Sequence, residues 1–200
     1  IFGGGLTIGQ NQLFVTLSYG FVFSLDPRTG EKKWSQRLSG AGNTVPVFDD
    51  GLVYLVSGDS KAWAISANNG RIKWKIDAIG NDTNLISNNA PATNKKYAVF
   101  GFGNGEIYTT FKKGGYVLWS SSLSGRNDGR VISAIDDIVA SPVIVGRNVF
   151  VADGSGKVVS LKVESGERNW TAPFGSSGNL WVAGKSLFFI SNTNHLVYSR

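Results

Sequence analysis

GEKKW, residues 30–34, sets a glycine and a tryptophan with three residues between them, and the outline returns as GRIKW (70–74), GYVLW (115–119) and GERNW (166–170). The residues between them vary freely, so the physical demand falls on the Gly and the Trp. Counting back from each Trp, blocks of 23 residues begin at Gln12, Leu52, Tyr97 and Asn148, and a fifth, truncated block begins at Ser186. Self-similarity at such a period is the strongest signal a sequence offers about architecture. The second block position is apolar throughout (Leu13, Val53, Ala98, Val149, Leu187), and so is the fourth (Val15, Leu55, Phe100, Val151, Phe189). The ninth reads Gly20, Ser60, Gly105, Gly156 and Asn194, residue types that tolerate a left-handed backbone in a tight turn.

A second strand follows that turn in each block: FVFSL, KAWAI, EIYTT, KVVSL and HLVYS. Another turn closes on Gly30, Gly70, Gly115 and Gly166, and a third strand runs into Trp34, Trp74, Trp119 and Trp170. Six residues upstream of each block stands Leu6, Pro46, Pro91, Pro142 or Leu180, inside one more short extended run. Proline suits such a strand if it is a sheet edge, where a missing N–H breaks no ladder bond. Each unit is therefore four antiparallel strands, A to D. Units spaced by 40, 45, 51 and 38 residues predict an all-β chain built as a β-propeller. The single propeller segment, 1–200, divides into approximate blades 1–38, 39–78, 79–123, 124–174 and a partial 175–200. The Gly supplies the positive φ between strands C and D, and the Trp ring packs between neighbouring blades with its N–H on a backbone carbonyl. Four blades and part of a fifth do not close a ring, so the segment is expected to belong to one of seven or eight blades. Its outer blades would then be covered by further chain or by self-association.

Composition agrees. Of 200 residues 42% are hydrophobic and 17% charged, which fits a packed chain and excludes disorder. The 26 glycines and 12% aromatics favour short strands over helical bundles. No run of 18 apolar residues is present to span a membrane as a helix. Cysteine is absent, which excludes disulfides and thiolate metal sites within this chain. The net charge of +6 is spread along the chain rather than clustered, so no nucleic-acid partner is expected.

SLDPRTGEKKW (24–34), SLKVESGERNW (160–170) and, more loosely, AISANNGRIKW (64–74) resemble the tryptophan-docking repeat of the pyrroloquinoline-quinone (PQQ)-like propellers. Within that superfamily, NNAPAT (88–93), GFGNGEIY (101–108), the stretch from Val131 to Trp170, and VAGKSLFFISNTNHLVYS (182–199) are most similar to the BamB lipoproteins of the outer-membrane β-barrel assembly machinery. The resemblance implies a non-catalytic protein-interaction scaffold in barrel-protein assembly and insertion. It implies a periplasmic, outer-membrane-associated location with a lipid anchor upstream of this chain. The implied partner is the periplasmic part of the barrel-assembly protein. The alternatives are a fragment of a PQQ-dependent quinoprotein dehydrogenase, or another PQQ-like ligand-binding or sensor propeller.

The dehydrogenase reading needs a Ca²⁺ site of oxygen ligands, an aspartate base and usually a vicinal disulfide; without Cys the disulfide cannot form. Asp26, Asp49, Asp50, Asp59, Asp153 and Glu164 fall at turns, where a charge is expected to be solvated. The lone histidine, His195, holds the block position filled elsewhere by Phe21, Lys61, Glu106 and Lys157, which marks a surface site rather than a catalytic one. GSGK (154–157) is similar to a phosphate loop, but no Ser or Thr follows the Lys, and it reads as a β-turn. No enzyme, metal or cofactor is expected.

Between each Trp and the next block lie 17, 22, 28 and 15 residues, so the extra chain sits in the second and third linkers. In an A–D blade these linkers share one face with the B–C turns, while the A–B and C–D turns share the other. Insertions concentrated on one face often form the binding face. Within IDAIGNDTNLISNN (76–89) and SSSLSGRNDGRVISAIDD (120–137), Leu85 and Ile86 are expected to form an apolar anchor with Arg130, Asp136 and Asp137 as polar contacts.

Overall fold

A computed structural model describes residues 3–42, 44–78, 89–122, 138, 140–152, 156–173, 175–176, 178–184, 186–191 and 193–199. Every regular element among them is a strand. Blade 1 holds β1 (Gly3–Gly9), β2 (Gln12–Leu17), β3 (Phe21–Leu25) and β4 (Lys32–Arg37). Blade 2 holds β5 (Val47–Asp49), β6 (Leu52–Ser57), β7 (Lys61–Ser66) and β8 (Ile72–Asp77). Blade 3 holds β9 (Ala92–Thr93), β10 (Tyr97–Gly101), β11 (Glu106–Phe111) and β12 (Val117–Ser122). Blade 4 holds β13 (Val143–Val145), β14 (Asn148–Ala152), β15 (Val158–Lys162) and β16 (Arg168–Ala172). The last three strands are β17 (Trp181–Ala183), β18 (Ser186–Ile190) and β19 (Leu196–Ser199). Each group is one antiparallel sheet in chain order, four-stranded in blades 1 to 4 and three-stranded in the fifth. The all-β propeller read from the repeat is the fold observed. Strand A is a sheet edge in every blade, and A strands of successive blades are neighbours. Pro46, Pro91 and Pro142 each precede theirs by one residue, where no ladder bond is lost.

Turn chemistry sets the registers. All five residues at the ninth block position have positive φ: Gly20 83°, Ser60 56°, Gly105 79°, Gly156 104° and Asn194 59°. The glycines that open strand D are equally alike, at 75° for Gly30, 72° for Gly70, 71° for Gly115 and 70° for Gly166. Each donates its N–H to the carbonyl four residues back, as in Gly70 to Ser66 at 2.9 Å. A type I′ turn joins β5 to β6, with Asp50 at φ 50° and Gly51 at 75°.

The core is a series of layers between sheets. Phe14, Val22, Val53, Leu55, Trp63 and Ile65 fill the space between blades 1 and 2. Tyr54, Val56, Ala62, Ala98, Phe100 and Tyr108 fill the next. Val99, Ile107, Val149, Val151, Val159 and Leu161 join blades 3 and 4, and Val158, Leu180, Leu187 and Phe189 join blades 4 and 5. Alternate residues of a strand point to opposite faces, so an inner blade must be apolar on both. In β6, Val53 and Leu55 face one layer while Tyr54 and Val56 face the other, and all four are buried. In β2 only alternate residues are buried.

At the two ends of the series apolar side chains meet solvent: Leu6, Ile8 and Tyr19 in blade 1, and Trp181, Ile190, Leu196 and Tyr198 in the fifth sheet. Burial of the four repeat tryptophans is graded along the chain. Trp34 is 9% exposed, Trp74 and Trp119 are half-buried, and Trp170 is 37% exposed. The first three each lie against the C–D turn of the following blade; among the described residues no such turn lies against Trp170.

Candidate functional site

The repeated residues make one contact three times. Trp34 Nε1 donates to the Ala67 carbonyl at 2.8 Å, Trp74 Nε1 to that of Lys112 at 3.0 Å, and Trp119 Nε1 to that of Val163 at 2.9 Å. Each acceptor lies in the C–D turn of the next blade, and the glycine closing that turn lies under the indole. A Cβ built on Gly70 would stand 2.6 Å from the Trp34 ring, on Gly115 2.5 Å from Trp74, and on Gly166 2.7 Å from Trp119. A Cβ on Gly30 would meet nothing within 4 Å. The glycine therefore answers two demands, a left-handed backbone and room for the preceding blade's ring. All of this chemistry is packing.

Leu85, Ile86, Arg130, Asp136 and Asp137 lie outside the described residues, as does Asp153. What is described is the chain that leaves their two linkers. Asn89 Nδ2 donates to the Ile138 carbonyl, and the Ala90 N–H donates to Ser141 Oγ at 3.0 Å. The Ser141 N–H in turn donates to Asn179 Oδ1 at 3.2 Å. The outlets of the second and third linkers are thus tied side by side on the B–C face. Asn89 and Ile138 are buried. Sequence reasoning missed these clamp residues, because a backbone-directed Asn or Ser at a linker end has no fixed spacing to its partner 49 or 51 residues away.

The acidic turn residues depart from the solvated reading at several positions. Asp59, in the B–C turn of blade 2, accepts Ser39 Oγ at 2.5 Å and Lys61 Nζ at 2.5 Å on Oδ2, and Ser57 Oγ on Oδ1. Partial burial pushes its carboxyl up, but the hydrogen bonds from Lys61, Ser39 and Ser57 and the Lys61 charge outweigh that and hold it below the ordinary aspartate value. Asp49 pairs with Lys112 of blade 3 at 2.6 Å. Glu164 accepts the Tyr97 hydroxyl at 3.4 Å. Asp26 is half-buried and caps its own turn: hydrogen bonds from the Arg28 and Thr29 N–H groups hold its carboxyl below the usual range. His195 is exposed, its Nδ1 3.1 Å from Thr193 Oγ1. Among the described residues no three His, Asp or Glu side chains gather into a metal-binding group.

A family model described as outer membrane protein assembly factor BamB matches residues 1–199. The outer membrane protein assembly factor BamB of Moranella endobia is 23% identical over 97% of this chain and 50% of its own length. The chain thus spans about half the length of the curated relatives it matches. Among solved structures, BamB from Moraxella catarrhalis superposes with a TM-score of 0.85 at 18% identity, over 98% of this chain and 60% of that one. A quinohemoprotein alcohol dehydrogenase from Comamonas testosteroni superposes at 0.76 and 14% identity, over 96% and 40%. Both likenesses are likenesses of fold.

Proposed function

The chain belongs to the family of the outer membrane protein assembly factor BamB, and on that premise we propose that it is a non-catalytic scaffold in the assembly and insertion of outer-membrane β-barrel proteins. It works in the periplasm, at the outer membrane, by holding the periplasmic part of the barrel-assembly protein. The observation that carries this reading is the clamp between the two long linkers. Asn89–Ile138 and Ala90–Ser141 bring the outlets of both linkers together, and Leu85, Ile86, Asp136 and Asp137 immediately precede those outlets in the chain. An apolar pair beside charged groups suits hot-spot packing, in which a buried aliphatic anchor supplies most of the energy and polar neighbours set orientation. The repeated Trp and Gly residues support the absence of chemistry, since blade packing already accounts for them.

The test is capture of the barrel-assembly partner by variants Leu85→Asp with Ile86→Asp, and Arg130→Glu. Each substitution at a hot spot is expected to weaken capture at least tenfold while leaving the far-ultraviolet spectrum unchanged. Folded variants that capture the partner as well as the parent chain would move the site elsewhere. Adding PQQ with Ca²⁺ is expected to leave the melting temperature where it is; a saturable rise would favour the dehydrogenase-like reading instead.

A further inference from the structure

The opposite face of the molecule carries a feature that scaffolding does not use. Between blades 2 and 3, a cleft of about 590 Å³ opens among the A–B and C–D turns. That volume lies within the range of small-ligand pockets. Its floor is Tyr54 of β6, wholly buried, whose hydroxyl has no hydrogen-bond partner. Burial, and then the charges of Asp49 and Asp50, push this phenol up, so it keeps its proton. A buried hydroxyl without a partner is uncommon, because it has given up water for nothing. Here it is placed as a donor awaiting an acceptor.

The rim around that donor is cationic. Lys95 and Lys96 come from the A–B connection of blade 3, and Lys112 and Lys113 from its C–D turn. Lys112 is paired with Asp49 at 2.6 Å and the Glu164 charge acts on Lys96, leaving Lys95 and Lys113 against the carboxylate of Asp50. Lys96 lies over the Tyr97 and Phe111 rings, 5.1 and 5.7 Å from their centroids, and Lys95, Lys96 and Lys113 are all exposed. The frame that presents them is tied down. Asn94 Oδ1 accepts the N–H groups of Lys96 and Tyr97 at 2.9 and 2.7 Å, and the Lys112 carbonyl accepts the Trp74 indole. Leu52 and Phe111 supply apolar wall.

We propose that this cleft binds an anionic oxygen group, carboxylate or phosphate, which accepts the Tyr54 hydroxyl and is held by the lysine rim. The group can belong to a small free acid or to an acidic peptide, and the experiment separates the two. Neither linker takes part, so the site stands or falls apart from the scaffold reading.

Isothermal titration calorimetry of the purified protein at constant ionic strength uses three probes: inorganic phosphate, phenylacetate and an acetylated hexaglutamate peptide. At least one is expected to bind saturably. Binding is expected to weaken fivefold or more in Tyr54→Phe, and equally in the paired variant Lys95→Gln with Lys113→Gln. Tyr54→Phe removes only the orphaned hydroxyl and is expected to melt no lower than the parent chain. Saturation by phosphate or phenylacetate identifies a free small anion, and saturation by the peptide alone identifies an acidic protein segment. Should Tyr54→Phe fail to fold, the lysine pair, exposed and distant from the core, decides alone by the same fivefold criterion. If no probe saturates, or a folded variant binds like the parent, the proposal is overturned.

Discussion

Gly115 and Gly30 share a left-handed backbone, φ 71° and 75°, yet differ in what lies above them. A Cβ on Gly115 would stand 2.5 Å from the Trp74 indole, whereas one on Gly30 would face open space. Gly30→Ala should therefore cost only the backbone strain, about 1 kcal/mol. Gly115→Ala adds overpacking of an interblade contact, roughly 1–3 kcal/mol more, and should also disturb the Trp74 N–H bond to the Lys112 carbonyl. Urea denaturation of the two variants measures the difference. Equal costs would mean that the glycine serves the turn alone. The Gly-to-Trp spacing made the first demand legible in the sequence. The second was hidden, because the ring that rests on Gly70, Gly115 or Gly166 belongs to the Trp of the preceding blade.

At the scale of the element, the B–C turn of blade 2 is fastened by a side chain whose position at a turn had suggested that it was solvated. Asp59 holds Ser39 of the first linker, Ser57 at the end of β6, and Lys61 at the start of β7, and Trp63 Nε1 donates to the same Ser57 at 2.7 Å. A carboxyl held below its unfolded value contributes stability that is fully present above that value, near 4. The contribution is lost as pH falls through the lower folded value. Asp59→Asn should thus cost roughly 1 kcal/mol at neutral pH, a modest figure because solvent reaches part of the carboxylate and screens it. The gap between the two proteins should close below about pH 4. Thermal melts from pH 3 to 7 follow this, and a gap that is constant or widens in acid would contradict it. The linker clamps at Asn89 and Ser141 belong to the same scale.

At the scale of the whole molecule, the sheet-to-sheet contacts among the described residues run between successive sheets, so stability is a sum over nearest-neighbour layers. The inner strands β6, β7 and β10 are buried on both faces, while β17 and β19 expose Trp181, Leu196 and Tyr198. Amide hydrogen exchange should consequently be slowest in β6, β7, β10 and β11 and fastest in β17 to β19, because opening an end sheet breaks one layer and opening an inner sheet breaks two. Uniform protection along the chain would show instead that the sheets unfold as one unit. Trp170 is exposed as well, and among the described residues no C–D turn covers its ring as one covers Trp34.

The sequence by itself determined the blade architecture and its turns. A Gly-to-Trp spacing, alternating apolar positions and residues tolerant of positive φ are local features, and they recur at every unit whatever lies beyond it. It also pointed to the linkers as the variable part, since their lengths can be counted. It did not reveal which side chains meet across sheets. Asn89 reaches Ile138, Asp49 reaches Lys112, and Tyr54 is buried beneath lysines drawn from two turns of another blade. Such pairs depend on the twist and spacing of neighbouring sheets, which bring together residues dozens of positions apart with no period to betray them. Only the tertiary structure decides those contacts, and with them whether a charge at a turn is solvated, paired or part of a site.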